Sequence, residues 1–126
     1  MKPRPKWRDT FRYALEGIVL AVKTERNMKI HLFAAAAVAA AALYFRLPAR
    51  DLALLCIVIG MVIAAELVNT ALEYVVNLVS PEWHKLAKAA KDTAAGAVLV
   101  TAIAAVLVGC LLFYEPVMGY IQARIH

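Results

Sequence analysis

Five polar residues interrupt an apolar stretch in the middle of the chain. They are Glu66, Asn69, Thr70, Glu73 and Asn77. Because they stand at i, i+3, i+4, i+7 and i+11, they share one face of a helix, which we call the polar face. A carboxylate inside a membrane span is costly, so Glu66 and Glu73 are expected to carry a function.

The composition of the polar face suits proton transfer beside a bound cation. The deeper carboxylate, Glu66, can accept a proton from a lipid hydroxyl, while Glu73, nearer the surface, can hold a divalent cation that bridges nucleotide phosphates. Farther along the chain, Lys91 beside Asp92 can neutralise phosphate charge. The alternative is that both carboxylates pair with basic residues of another helix and serve only assembly. We favour the chemical interpretation, because intramembrane ionisable groups usually mark function.

Composition and charge indicate a small integral membrane protein. Of the 126 residues 63% are hydrophobic, and the mean hydropathy of +0.70 is too high for a soluble domain of this length. The net charge of +5 comes from basic residues beside apolar segments rather than along a solvated face, so no nucleic-acid partner is expected. No secretory signal is expected either, since the first apolar run begins only after Lys29.

Hydrophobic periodicity predicts an all-α membrane protein of one domain, with an N-terminal amphipathic surface helix and three transmembrane helices. The surface helix is predicted at about 9–22, where Phe11, Leu15 and Ile18 form an apolar stripe. The predicted spans cover about 30–45, 52–79 and 93–114. The first span is rich in alanine, which favours close helix packing.

The distribution of basic residues predicts the orientation in the membrane. Eight lysines and arginines precede the first predicted span, and three more lie in the 80–92 loop. By the positive-inside rule, the N-terminus and this loop are cytoplasmic and the C-terminus is outside. The second span then enters at Leu52, so Glu66 lies roughly 21 Å in and Glu73 roughly 31 Å in, compared with a hydrocarbon core of about 30 Å.

Three segments in and after the polar face form a specific pattern: Glu66–Glu73, Pro81–His84 and Ala87–Leu99. The front of the chain adds Phe11–Ala14, Gly17, Glu25–Asn27 and His31. Together they resemble the bacterial family of small integral membrane lipid kinases that includes diacylglycerol kinase and undecaprenol kinase. The chain has no Gly-rich Walker loop and no soluble-kinase catalytic loop, so phosphoryl transfer would depend on positioning, metal and charge.

The resemblance implies a homotrimer of three-span subunits in the bacterial inner membrane, with active sites shared between neighbouring subunits. ATP and a membrane lipid are the implied substrates, and Mg²⁺ is the implied cofactor. Glu66 matches the general base and Asn69 its neighbour in the site. Glu25 and Glu73 match the carboxylates that hold magnesium. Sharing of the site predicts that Glu66 and Glu25 belong to different halves of it.

The resemblance also assigns contacts to the nucleotide and its cofactor. These residues are Tyr13, Glu25, Glu73, Asn77, Glu82, Trp83, His84, Lys91 and Asp92. Asn77 departs from the family pattern, which usually has aspartate at this position. Either that carboxylate is dispensable or nucleotide affinity is reduced in this chain.

Two short segments bear on the acceptor lipid. Pro81–Lys88 and Ala95–Ala97 look more like the undecaprenol kinases of Gram-positive bacteria than the diacylglycerol kinases of Gram-negative bacteria, so undecaprenol is favoured. Diacylglycerol is the alternative, because both lipids present a primary hydroxyl on an apolar body.

A remote alternative is an ion- or proton-conducting or assembly subunit without kinase activity. Glu25 and the Lys91–Asp92 pair argue against it, since a conductor needs no phosphate-binding cluster.

Overall fold

The computed structural model describes residues 2–126, which form four α-helices. They are α1 (Trp7–Thr24), α2 (Arg26–Tyr44), α3 (Ala49–Val79) and α4 (Lys85–Ile125). The last three are long and apolar enough to cross a membrane. The predicted all-α architecture, an amphipathic helix followed by three spans, is therefore confirmed.

The apolar stripe of α1 is not covered by the other described residues, 2–126. Trp7 is 81% exposed, Phe11 66% and Leu15 62%. On the polar side of the helix, the Arg12 guanidinium lies 3.6 Å from the Glu16 carboxylate. A helix with one exposed apolar stripe and one charged face has the character of a helix that lies in a membrane interface.

Each of the four helices begins before the start predicted from hydropathy. Hydropathy detects only the part of a helix that lies in hydrocarbon, whereas backbone hydrogen bonding continues through the polar turns at headgroup depth. The largest difference is in α4, which begins at Lys85 rather than at 93 and contains Pro116 in its interior. Lys91 and Asp92, which the sequence placed in a loop, therefore lie on α4.

A single residue connects α1 to α2. Glu25 has an extended backbone, with φ −101° and ψ 118°, and its N–H donates to the Ala21 carbonyl at 2.9 Å. Ala21 and Met28, on either side of the connection, are both buried. The direction change between the two helices is thus held by local hydrogen bonding and packing.

The turn from α2 to α3 is closed by a Schellman arrangement. The Leu47 N–H donates to the Ala42 carbonyl at 3.0 Å, and the Arg46 N–H donates to the Leu43 carbonyl at 3.2 Å. Arg46 adopts a left-handed backbone in this turn, with φ 53°. This conformation costs about 1–2 kcal/mol for an L-residue. Ala42 and Leu47 pack with Leu55 in a buried apolar cluster at this end of the bundle.

Helix α4 packs mainly against α3 and continues past the predicted end at 114. Its 41 residues span about 61 Å, more than the hydrocarbon core requires. Beyond Pro116, the Tyr120 ring packs edge-on against Phe45, with ring centroids 5.8 Å apart, and against Tyr44 at 6.0 Å. These aromatic contacts hold the last turns of α4 against the α2–α3 turn.

Candidate functional site

Three side chains of the polar face are buried. Glu66 is 1% exposed, Asn69 6% and Thr70 3%, within a helix whose other buried residues are apolar. Their spacing of three and four residues stacks them on the side of α3 that faces the other helices.

Each of these residues retains a buried atom that has no hydrogen-bond partner within residues 2–126. The atoms are Glu66 Oε2, Asn69 Oδ1 and Thr70 Oγ1. A buried polar group without a partner costs about 1–3 kcal/mol. A cluster of three such oxygens on one face is poorly explained by packing, and it is the arrangement of a surface that receives a ligand, an ion or another chain.

His31 of α2 stands against the buried Glu66 carboxylate. The distance from His31 Nε2 to Glu66 Oε2 is 3.7 Å, which is within ion-pair range but longer than a hydrogen bond. Two further charged groups, Glu73 and Glu25, lie close enough to act on Glu66 electrostatically. Groups from α2, α3 and the α1–α2 connection therefore lie within electrostatic reach of Glu66.

The α1–α2 connection is tied to α3 beside Glu73. The Thr24 hydroxyl lies 3.2 Å from the Tyr74 hydroxyl and 3.4 Å from Glu25 Oε1. This contact folds the connection back onto α3 and brings Glu25 toward Glu66 within a single chain. This proximity favours sites whose carboxylates come from one subunit. The assignment of Glu66 and Glu25 to different halves of a shared site stays a prediction.

The donor set around the polar face fits a magnesium ion. Glu25 and Glu73 are half-buried carboxylates, and Asn69 adds an unpaired side-chain oxygen. Mg²⁺ prefers such hard oxygen ligands and is usually held by one or two carboxylates, with water and substrate phosphates completing the shell. The described chain contains no cluster of three or more histidine, cysteine, aspartate or glutamate residues that could hold a metal. The residues present suit an ion that shares its coordination with a nucleotide.

A lysine reaches the far end of the polar face. Lys91 Nζ donates to Asn77 Oδ1 at 2.5 Å and so links α4 to α3 one turn beyond Glu73. On the same helix, Lys88 forms an ion pair with Asp92. The structure thus brings Lys91 to the polar face and gives Asp92 a partner on its own helix.

Four residues assigned to the nucleotide lie apart from this cluster. Tyr13 is 53% exposed and Trp83 79%, and Glu82 is exposed in the connection before α4. The His84 imidazole accepts a hydrogen bond from the first turn of α4 at 3.1 Å and caps that helix. Within residues 2–126, no hydrogen bond or ion pair links these side chains to Glu66. Their contact with a nucleotide stays a prediction.

An apolar cleft of about 560 Å³ runs between α2, α3 and α4, and its lining includes His31, the neighbour of Glu66. His31 stands at one end, and the walls include Val38, Val62, Val106 and Phe113. Apart from His31 and the Cys110 thiol, the lining is hydrocarbon or glycine. The hydrocarbon lining suits an apolar ligand, and His31 is the polar group at its edge.

The sequence model of one protein family, described as prokaryotic diacylglycerol kinase, matches residues 12–113 of this chain. The chain belongs to that family. The resemblance found in its sequence is therefore confirmed, and the three apolar helices are those of an integral membrane protein. The match runs from the amphipathic helix α1 to the aromatic residues near the end of the third span.

Relatives within the family differ in name. A diacylglycerol kinase of Synechocystis is 49% identical over 111 residues, which are 87% of this chain and 63% of that protein. An undecaprenol kinase of Bacillus subtilis is 40% identical over 104 residues, which are 82% of this chain and 85% of that protein. A diacylglycerol kinase of Escherichia coli K12 is 38% identical over 55 residues, 44% of this chain and 45% of that protein. The chain thus spans less than two thirds of the Synechocystis relative.

Sequence reasoning missed two features of this family member's site. It gave His31 no chemical role, although an ionisable residue near the start of an apolar span is itself a signal. It also gave no role to Thr24 and Tyr74, which hold Glu25 near the polar face. Both features depend on how α1 and α2 fold against α3, which helical periodicity does not report.

Proposed function

We propose that this protein transfers the γ-phosphoryl group of ATP to the hydroxyl group of a membrane lipid, at the cytoplasmic boundary of the bacterial inner membrane. One observation carries the proposal: the buried Glu66 carboxylate lies 3.7 Å from His31, and His31 lines an apolar cleft. A base in that position can reach the headgroup of a lipid whose chain lies in hydrocarbon. Family membership and the names of the relatives support the same reaction.

The proposed chemistry is a direct transfer. The chain of the acceptor lipid lies in the apolar cleft, and its hydroxyl group reaches Glu66 past His31. As the hydroxyl oxygen bonds to the γ-phosphorus, the Glu66 carboxylate takes the hydroxyl proton. The bond from the γ-phosphorus to the bridging oxygen breaks, ADP leaves, and the lipid carries a phosphate. Asn69, one turn along the same face, orients the reacting groups.

Glu25 and Glu73 are the proposed magnesium ligands. When bound, the ion supplies positive charge to the β- and γ-phosphates. Lys91 stands at the end of the polar face, where its ammonium group neutralises further phosphate charge. Tyr13, Glu82, Trp83, His84 and Asp92 are the remaining proposed nucleotide contacts.

The proposed assembly is a homotrimer with active sites shared between neighbours. Tyr13 and Trp83 are exposed and lie apart from Glu66 in the single chain, so a neighbouring subunit is the proposed route by which they reach the nucleotide. In this arrangement the carboxylates come from one subunit and the peripheral nucleotide contacts from the next.

Undecaprenol is the favoured acceptor. The Pro81–Lys88 and Ala95–Ala97 segments and the Bacillus subtilis relative support it. Diacylglycerol is the second candidate, which is favoured by the diacylglycerol kinase of Synechocystis. The apolar cleft suits an acyl chain and a prenyl chain alike, because its lining is almost entirely hydrocarbon.

The test is turnover of ATP by the purified protein in detergent micelles, with undecaprenol and diacylglycerol compared at equal mole fraction. We expect phosphate to appear on the lipid, and turnover with undecaprenol to exceed that with diacylglycerol. A reversed preference identifies diacylglycerol as the acceptor. If protein that binds Mg-ATP phosphorylates neither lipid, the proposed function is wrong.

A further inference from the structure

We propose that His31 is a positioning residue, whose Nε2–H group holds the Glu66 carboxylate in the orientation that receives the proton of the acceptor hydroxyl. The inference rests on the proposed role of Glu66 as the base. His31 approaches the carboxylate from α2, whereas Glu66 belongs to α3, and the 3.7 Å between Nε2 and Oε2 separates the two groups. A closure of about 0.7 Å brings them to ordinary hydrogen-bond distance.

Of the three ionisable groups that act on Glu66, His31 is the one that can donate a hydrogen bond to an ionised carboxylate. Three ionisable residues act on this carboxylate: His31, Glu73 and Glu25. Glu73 and Glu25 are carboxylates themselves, so when ionised they repel Glu66 and cannot donate to it. The imidazole donates through Nε2–H in its neutral tautomer as well as in its protonated form. The positioning role therefore does not depend on the charge of His31.

Burial makes the orientation of Glu66 sensitive to a single donor. The Glu66 side chain is almost fully enclosed, and Oε2 has no hydrogen-bond partner in the part of the chain that the structure describes. A hydrogen bond from His31 to Oε2 fixes the carboxylate plane and leaves the other oxygen, Oε1, for the incoming proton. Without that donor the carboxylate rotates among orientations that do not face the acceptor.

The position of His31 relative to the apolar cleft completes the argument. The imidazole lines the end of the cleft and also contacts the carboxylate, so it lies where the acceptor hydroxyl arrives from the cleft. Its side chain is 22% exposed, which limits its freedom to turn away from Glu66. The same residue thus separates the lipid chain from the base and orients the base.

Two substitutions distinguish positioning from space filling. His31→Leu keeps the side-chain volume but removes the donor, and we expect kcat to fall about 10-fold or more while the Kd for Mg-ATP is unchanged. His31→Gln carries an amide N–H near the place of Nε2, and we expect kcat within about 3-fold of wild type. Phe33→Leu, at an exposed position on the same helix, is the control and should keep wild-type turnover.

A kcat for His31→Leu near that of wild type overturns the proposal. So does a His31→Gln variant as defective as His31→Leu, because an amide retains the hydrogen bond but cannot exchange a proton. If His31→Leu fails to bind Mg-ATP or to give a cooperative melt, His31→Ala takes its place in the same comparison.

A double-mutant cycle with Glu66→Gln shows whether His31 acts through Glu66. If it does, His31→Leu causes no further loss of kcat in the Glu66→Gln background. The same fold-loss in both backgrounds overturns the inference while leaving the proposed function intact. Wild-type turnover by Glu66→Gln itself would instead defeat the role of Glu66 as the base, and with it this inference, whereas the proposed function fails only if the wild-type protein phosphorylates neither lipid. The failures are therefore distinguishable.

Discussion

Lys91 of α4 donates a hydrogen bond to Asn77 of α3 at 2.5 Å, one turn beyond Glu73. This contact fixes a cationic group at the end of the polar face where a nucleotide phosphate is proposed to bind. Asn77 occupies a position where the family resemblance leads one to expect aspartate. A carboxamide accepts the hydrogen bond from Lys91 but adds no negative charge to the site.

Asn77→Asp should lower the apparent KM for Mg-ATP modestly, with the largest gain at low magnesium. The new carboxylate would lie beside the Lys91 ammonium group, which offsets the cost of a charge near the membrane boundary. It would also add negative charge one turn from Glu73, which favours capture of a divalent cation. A titration of turnover against Mg-ATP at several magnesium concentrations measures the change. A higher KM at every concentration contradicts this prediction.

Removal of charge at Glu25 or Glu73 should weaken binding of Mg-ATP. Glu25→Gln and Glu73→Gln keep the side-chain shape but replace a carboxylate that is a preferred magnesium ligand, so we expect the Kd for Mg-ATP to rise by about 10-fold or more. Glu16→Gln is the matched control, since Glu16 is an exposed acid of α1 that contacts Arg12. Equilibrium titration gives the affinities. A residue whose substitution leaves the affinity unchanged is not a ligand.

Tyr74→Phe should weaken Mg-ATP binding, although Tyr74 is not itself a proposed ligand. The Tyr74 hydroxyl lies 3.2 Å from the Thr24 hydroxyl, which in turn lies beside Glu25. Loss of this hydrogen bond frees the α1–α2 connection, and we expect the Kd for Mg-ATP to increase by about 2- to 5-fold. Tyr114→Phe, at an exposed position of α4, serves as the control. Equal affinities for the two variants would show that the Thr24 contact does not position Glu25.

Mixtures of Glu66→Gln and Glu25→Gln subunits should recover no activity. Glu25 lies within electrostatic reach of Glu66 in a single chain, so each site of the proposed trimer that draws both carboxylates from one subunit carries a defective one. We expect activity at every mixing ratio to equal the weighted sum of the two separate variants. Recovery above that sum would mean that the two carboxylates of one site come from different subunits.

The helices and the order of groups on the polar face could be predicted because both follow from local periodicity. The apolar run that contains Glu66 is long enough for a span, and spacings of three and four residues place Asn69 and Thr70 on the same side. The helix ends were harder to predict. The polar segment around Lys91 predicts a loop, but lysine and alanine favour helix and the His84 cap begins α4 before it.

The contacts between helices could not be predicted in this way. The approach of His31 to Glu66 and that of Thr24 to Tyr74 both depend on the backbone of Glu25, where one extended residue turns α1 against α2. Periodicity describes each helix about its own axis and contains no information on such a turn. The resemblance to a known family supplied Glu25, which its local sequence alone does not distinguish from an ordinary surface charge.

Turnover of Glu66→Gln with a lipid acceptor tests the account most directly. The substitution keeps the size of the buried side chain and removes its ability to accept a proton, and a matched titration of Mg-ATP reports whether the nucleotide site is intact. We predict that kcat falls by about 100-fold or more while the Kd for Mg-ATP stays within about 2-fold of wild type. Turnover close to wild type, with either undecaprenol or diacylglycerol as acceptor, would contradict the assignment of Glu66 as the base.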